Sequence, residues 1–317
     1  MILLISHLAD EHATEVLNRL GRVGADVLLF DTARFPRENR IIIGHQTGAS
    51  STLSAVVDGV RRDLSTVKTV WWRRPQPFGL DKMMTKNDDR NFAFGECQAA
   101  IMGLWSCLDA QWINNPELDE VAARKTYQLK LAAGLGLKIP RTLITNDPAE
   151  AAAFIEKEGD NGTIYKAFSA TERTWRETRL LKPAELAQLE AVRLAPVIFQ
   201  EHIRADIDLR ITIVGEEIFP AEILSGETDY HVDFRMTMHA ASIRAHVLPE
   251  EIVAQLRAFM RALGLVYGAI DMRLTPGGEY IFLEVNPSGQ WLFIEQRTCQ
   301  PITAAMVKYL LLSDRKQ

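Results

Sequence analysis

Asp271, Glu284 and Asn286 are the residues whose types and spacing point most directly to chemistry. They sit in YGAIDMRLTPGGEYIFLEVNPSGQW (Tyr267–Trp291), an otherwise apolar ribbon. TPGG (Thr275–Gly278) reads as a four-residue turn, with proline at its second position and glycine free to take positive φ. Closing two strands on that turn pairs Leu274 with Glu279, Arg273 with Tyr280 and Asp271 with Phe282. Phe282, Glu284 and Asn286 then alternate onto one face, with Asp271 diagonal to Glu284 at about 7–8 Å. A loop of odd length would reverse the parity and break this arrangement. Carboxylates in an apolar ribbon need partners. These two can hold Mg²⁺, or a pair of ions about 3.5–4 Å apart, and Asn286 adds a neutral oxygen. The competing reading is a solvated outer face, which suits the apolar flanks Ile270, Met272, Ile281 and Val285 poorly.

Mg²⁺ held by few protein ligands usually shares its shell with nucleotide phosphates, so cations that grip phosphate are expected elsewhere. Lys166 lies inside the apolar strand TIYKAF, where an unpartnered lysine is costly. Lys125 lies on the helix that follows NNPEL, but Arg124 and Lys130 flank it and a solvated helix face fits equally. In WWRRPQPF (Trp71–Phe78), Pro75 and Pro77 must end a strand. One tryptophan there packs inward with an arginine solvated or paired, or the arginines meet an anion at the strand's C-terminal end. His7 reads as a loop or cap residue. The loop after MILLIS holds no glycine, so the dinucleotide fingerprint is missing, as are the P-loop and kinase signatures.

The elements that must position these groups follow from periodicity. MILLIS, a helix from Asp10 to Leu20 and ADVLLFD form a strand–helix–strand unit, and RIIIGHQ and KTVWWRRP add strands, which suggests a parallel sheet. A helix over 91–108 carries Cys97 and Cys107, read as buried thiols. One helix is expected over 119–133, ended by Gly134 and Gly136. Then come a short helix from Pro148, strands at GTIYKAFS and PVIFQEHI, a hairpin DLRITIVGEEIFPAEI turning at Gly215, and amphipathic helices over 248–263 and 301–312. A chain of 317 residues exceeds one core of roughly 250–300 and should form two or three units. Its net charge of −5 gives no global basic field for nucleic acid or anionic membrane. Three cysteines without a CxxC pair fit a reducing cytoplasm rather than a disulfide framework or structural zinc. The start has no basic n-region, so it is not a signal peptide, and no apolar run nears the ~20 residues of a membrane span.

In order, Lys125, LAAGLGLKIPRT, Lys166, FQEHI, DLRITIVG, GAIDMR and LEVNPSGQW resemble the ATP-grasp superfamily of carboxylate–amine ligases. EVNPSGQWLFIE with TVWWRRP is similar to the graspetide (microviridin-type) ligases, which cyclise ribosomally made peptides through side-chain esters and amides. The resemblance implies an α/β (α+β) ATP-grasp fold: an N-terminal α/β domain over 1–118, a central lobe over 119–195 and a C-terminal lobe with the Mg²⁺ site over 196–317. It implies that Lys125 and Lys166 contact ATP phosphates, that Glu201 and Ile203 present backbone to adenine, and that Asp208 meets the ribose. Arg210 would face the phosphates or an acyl phosphate, Arg273 would steady that intermediate, and Asp271, Glu284 and Asn286 would hold Mg²⁺, as two ions. The family's glycine-rich phosphate loop has no counterpart: SATERTWRET (Ser169–Thr178) lacks glycine, and Arg173 and Arg176 either substitute as clamps or belong to a solvated lid. The favoured partner is a precursor peptide with a leader, docking near Ser225–Met236, and a homodimer is implied. A ligase for a small carboxylate, such as one adding an amino acid, and a non-catalytic nucleotide-binding module are the alternatives. The first needs the same ATP site. The second has little use for a full metal set.

Overall fold

β1 (Ile2–Ile5) is buried along its whole length. α1 (Glu11–Arg22) starts at Asp10, whose carboxylate accepts the His12 N–H. β2 (Val27–Phe30) returns parallel to β1. This is the expected βαβ unit. The computed structural model describes residues 1–168, 178–224 and 241–315. β3 (Arg40–Gly44), β4 (Thr52–Val57) and β5 (Val60–Asp63) form a small antiparallel sheet, of which periodicity gave only the first strand. β6 (Thr69–Trp72) and, after α2 (Asn87–Ser106), β7 (Gln111–Ile113) complete a parallel sheet of order β2-β1-β6-β7. Cys97 is buried on α2, but Cys107 follows its last residue and is exposed, so the second thiol is not a core residue.

The single helix expected over 119–133 is two. α3 (Pro116–Ala122) is capped by the Asn115 side chain, and α4 (Lys125–Gly134) begins after Arg124, whose backbone is extended. The break makes Lys125 the first residue of its helix. A second, wholly antiparallel sheet follows, built from β8 (Thr142–Thr145), β9 (Thr163–Lys166), β10 (Arg179–Leu180) and β11 (Val197–Glu201) in the order β10-β9-β11-β8. With α5 (Pro148–Glu158) and α6 (Pro183–Leu186) it makes a lobe around a small core of Ala151, Val192 and Phe199.

The third unit is a five-stranded antiparallel sheet of order β14-β13-β12-β15-β16. Its strands are β12 (Ile207–Val214), β13 (Glu217–Leu224), β14 (Ser242–Ala245), β15 (Tyr267–Leu274) and β16 (Tyr280–Asn286). α7 (Glu250–Leu263) and α4 cover one face through Leu129, Phe259, Met272 and Phe282. The other face shares a core with the N-terminal sheet, where Ile2, Leu4 and Trp71 meet Tyr267, Trp291 and Met306. α8 (Leu292–Thr298) and α9 (Ile302–Arg315) follow, with Met306 and Leu310 of α9 closing that core. Among the described residues no helix is long and apolar enough to cross a membrane.

The β15–β16 hairpin departs from the expected pairing. Leu274 faces Tyr280, so the loop holds five residues, Thr275 to Glu279. An odd loop alone would send Asp271 and Glu284 to opposite faces. A β-bulge restores the parity: Met272 faces Phe282, Asp271 faces Glu284, and Leu283 is left unopposed. Phe282 therefore joins the apolar face against Phe259, with ring centroids 4.9 Å apart, instead of lying beside Glu284. The two carboxylates become direct cross-strand neighbours, with Cβ atoms about 5 Å apart, rather than diagonal ones.

Asn114 fastens the hairpin to the preceding chain. Its Oδ1 accepts from the N–H groups of Val266 and Tyr267, and its Nδ2 donates to the carbonyls of Tyr267 and Pro287. Nearby, burial pushes the Asp119 carboxyl up from 3.8 to about 6.

Two outcomes are expected. Phe282→Ala should cost about 3–5 kcal/mol of stability in denaturant unfolding, as for other buried phenylalanines. Asp119 contributes stability in full below its unfolded value of 3.8 and loses it as pH rises through about 6. Asp119→Asn should therefore gain roughly 1–3 kcal/mol on the wild type between pH 4 and 7. A difference that does not change with pH would refute the buried carboxyl.

Candidate active site

One face of β15 and its neighbours gathers the charged groups. Arg210 of β12 sits opposite Asp271 of β15, which sits opposite Glu284 of β16, and Asn286 lies two residues further along. Arg210 Nη1 donates to Asp271 Oδ1 at 2.7 Å, with both side chains about a tenth exposed or less. Burial pushes the Arg210 guanidinium down, and Asp271 outweighs it, so the group stays charged. Asn286 Nδ2 lies 3.1 Å from Asp271 Oδ2. Glu284 pairs with Lys125 Nζ at the start of α4. Gln128, one turn on, brackets β16 by accepting the Val285 N–H and donating to the Val285 carbonyl. Five expected site residues are thus brought together, Lys125 paired with Glu284 and Arg210 and Asn286 both on Asp271, with the two carboxylates facing each other across the strands.

The others divide into separate groups. Arg273 shares the face of Asp271 but donates to Asp208 at 2.8 Å and to the Ile203 carbonyl at 2.7 Å. Asp208 is thereby held as a buried ion-pair partner, and the Ile203 carbonyl is occupied by Arg273. Glu201, ending β11, accepts the Arg141 N–H and pairs with its guanidinium at 2.7 Å. The same guanidinium reaches the buried Glu158. The Glu201 carboxylate therefore anchors the strand end, and its own N–H donates to the Arg141 carbonyl at 3.0 Å. Lys166 ends β9, half-buried, opposite Ile198 of β11. Arg173, Arg176 and the segment Ser225–Met236 lie outside the described residues.

A divalent cation fits what is present. Asp271, Glu284 and Asn286 offer only hard oxygen donors, as Mg²⁺ prefers. The Lys125 ammonium on Glu284 and the Arg210 guanidinium on Asp271 show that the pair draws positive charge. Among the described residues no group of three or more His, Cys, Asp and Glu gathers for a metal, so the set rests on two carboxylates and an amide. That suits an ion completed by phosphate and water better than a closed protein cage.

Several residues that shape the site gave weak signals in sequence. Gln128 is a polar residue three positions after Lys125, hence on the same side of the helix. Asn114 sits in a boundary segment that reads as a turn. His12 looks like any helix residue, yet its ring packs on Trp291 at 4.4 Å, and burial followed by the charge of Arg73 pushes its pKa down to about 3. It is neutral at physiological pH. Gly289 has no room for a side chain: a Cβ would lie 2.4 Å from the Ala269 Cβ and 3.0 Å from Arg210 Nη2.

A nucleotide-clamping ligase, with two antiparallel lobes and an oxygen-donor pair beside lysine and arginine, is the class this fold and site define. The chain belongs to the RimK-like ATP-grasp family: that domain's profile matches residues 122–310, and the MvdD pre-ATP grasp domain matches residues 1–120. Solved structures resemble it over nearly its full length. The macrocyclase MdnC from Microcystis aeruginosa MRC, bound with the precursor peptide MdnA, is 31% identical over 98% of each chain, with a TM-score of 0.87. A RiPP-associated ATP-grasp ligase of Chryseobacterium gregarium, in complex with ADP and a leader and core peptide, is 26% identical with a TM-score of 0.88 and covers 100% of this chain and 97% of its own. The ATP-grasp ligase PsnB, complexed with a minimal precursor, Mg and ADP, is 26% identical over 99% of this chain and 97% of its own, with a TM-score of 0.80. No curated protein sequence matches.

Glu284→Ala should remove one oxygen donor and leave Lys125 without its partner. ATP turnover at saturating Mg²⁺ is expected to fall by about 100-fold or more. The melting temperature should move by only a few degrees, because the side chain lies at the rim of the apolar core. Turnover close to that of the wild type would remove Glu284 from the site.

Proposed function

We propose that this ligase activates side-chain carboxylates of a ribosomally made precursor peptide as acyl phosphates. Ser/Thr hydroxyls or a Lys amine of the same peptide then displace phosphate, closing ester or amide macrocycles. The observation that carries this reading is the match to MdnC over 98% of both chains, a length that takes in the N-terminal sheet as well as the two lobes. A nucleotide site alone would be shared with ligases of many substrates. LEVNPSGQW and TVWWRRP, whose resemblance to the graspetide ligases supports the same reading, contribute Trp291 and Trp71 to the core between the N-terminal and C-terminal sheets.

The chemical obstacle is charge, since a carboxylate must approach the γ-phosphate of a polyanion. In this reading Lys125, on the helix packed against the C-terminal sheet, and Lys166, on the central sheet, both hold phosphate oxygens. Arg210 faces the transferring group and is kept charged by Asp271. The Glu201 carbonyl and the Ile203 N–H hydrogen-bond adenine, and Asp208 takes the ribose while Arg273 buttresses it. Asp271, Glu284 and Asn286 would hold Mg²⁺, as two ions, which would neutralise the charge that develops in transfer. Phosphoryl transfer gives ADP and the acyl phosphate. Attack by the hydroxyl or amine then forms the new C–O or C–N bond and releases phosphate, with one proton leaving the nucleophile.

The same reading takes the enzyme as a cytoplasmic homodimer with no nucleic-acid or membrane partner, and divides the chain at about 118 and 195. The sheets change at those places, although α4 packs on the C-terminal sheet through Leu129.

Incubation with ATP, Mg²⁺ and candidate precursor peptides, followed by intact mass, tests the function. Loss of one water, about 18 Da, for each ADP formed is the expected result. ADP formed only with a small acid and a free amine, with no change in peptide mass, would overturn it.

A further inference from the structure

Pro287 to Gln290 links β16 to α8, and its four consecutive carbonyls are all gripped by side chains from elsewhere. Asn114 Nδ2 donates to Pro287 O at 3.2 Å. Arg73 Nη1 donates to Ser288 O at 2.6 Å and to Gly289 O at 2.7 Å. The Tyr267 hydroxyl donates to Gly289 O at 2.8 Å. Arg210 Nη2 donates to Gln290 O at 3.2 Å. The last contact matters because the same guanidinium holds Asp271. The bare Cα of Gly289 lies against Ala269 and Arg210 with no space for a methyl group. Any displacement of this loop must therefore move Arg210, and Asn286 begins the same loop.

Arg73 is the grip that comes from the N-terminal sheet. Its side chain has 0% exposure, so it contacts neither solvent nor substrate. Nε donates to Asp10 at 3.1 Å, and the guanidinium lies 5.1 Å from the Trp291 ring centroid and 5.9 Å from that of Trp71. Asp10 is itself fixed as the cap of α1. We propose that Arg73 is a positioning residue, which sets the height of the 287–290 loop and through it the placement of Arg210, Asp271 and Asn286.

Packing alone does not account for it. A methionine would fill the space beside Trp291 without the desolvation that a buried guanidinium suffers. What only arginine provides is a rigid planar group that reaches Asp10 through Nε and two carbonyls through Nη1 at once. Lysine keeps the charge and loses the planar group. The neutral state of His12 leaves Asp10 to compensate Arg73. The proposal rests on the reading that Asp271, Glu284 and Asn286 hold Mg²⁺.

ADP binding to the full-length protein, titrated by calorimetry with and without Mg²⁺, tests it without needing the peptide. Arg73→Lys should keep metal-free ADP affinity within about 3-fold of the wild type. It should weaken the strengthening that Mg²⁺ gives by about 10- to 100-fold, since misplacement of about 1 Å is felt on that scale. Tyr267→Phe, which removes one hydroxyl from the same loop, should act in the same direction and more weakly, and it serves if Arg73→Lys does not fold. Equal loss with and without Mg²⁺ would make Arg73 a structural tie between sheet and lobe and overturn the proposal. So would a folded Arg73→Lys protein, or Tyr267→Phe in its place, with unchanged Mg²⁺ dependence. Glu284→Gln is the control for the underlying site. If it abolishes the Mg²⁺ effect while the loop variants do not, only the positioning role fails. If it has no effect, the metal assignment itself is wrong.

Discussion

The Arg210–Asp271 pair is the interaction on which the rest of the structure turns. Both side chains are nearly buried in the middle of a five-stranded sheet. Removing either partner of such a pair leaves an uncompensated charge and typically costs about 3–5 kcal/mol. The surroundings are arranged around that demand. Asn286 meets the second oxygen of Asp271, Gln290 presents a carbonyl to the second nitrogen of Arg210, and Gly289 keeps a side chain out of the way. A charge placed so carefully cannot wander, which is what a site for transferring phosphate needs.

One strand face organises three functions at once. Tyr267, Asp271 and Arg273 alternate along the same side of β15. Tyr267 holds the loop at Gly289, Asp271 holds Arg210, and Arg273 holds Asp208 and the end of the link from β11. The other side of the strand, with Ile270 and Met272, is core against α7 and α4. The N-terminal sheet and the C-terminal sheet share a large core, while the lobe carrying Lys166 has only a small one of its own. Among the described residues that lobe has the smallest apolar core of the molecule.

Much of the candidate site is legible in the amino-acid sequence. Carboxylates and an amide stand out in an apolar ribbon because burial of charge is penalised, so their presence signals a partner. Lys166 stands out for the same reason. Lys125 did not, because with Arg124 and Lys130 beside it on a helix it looks like any solvated lysine, and only folding brings it to Glu284. Arg273 was expected at the reacting centre, and side-chain alternation does put it on that face. Which neighbour it meets depended on Asp208, contributed by a different strand.

Sequence by itself determined the order of the main strands and helices, though not β4, β5 or the break between α3 and α4, together with the two-faced character of the hairpin and the identity of its polar residues. Those follow from periodicity and from the cost of burying charge, both local quantities. The parity of the hairpin did not follow. A four-residue turn was expected, a five-residue loop formed, and a bulge at Leu283 returned Glu284 to the face of Asp271. Turn length and bulge together are fixed by packing: Phe282 must enter the core beside Phe259 while Glu284, two residues on, must leave it. Simple alternation would have kept those two side chains on one face. Only the tertiary structure, by demanding both, decided where the extra residue went.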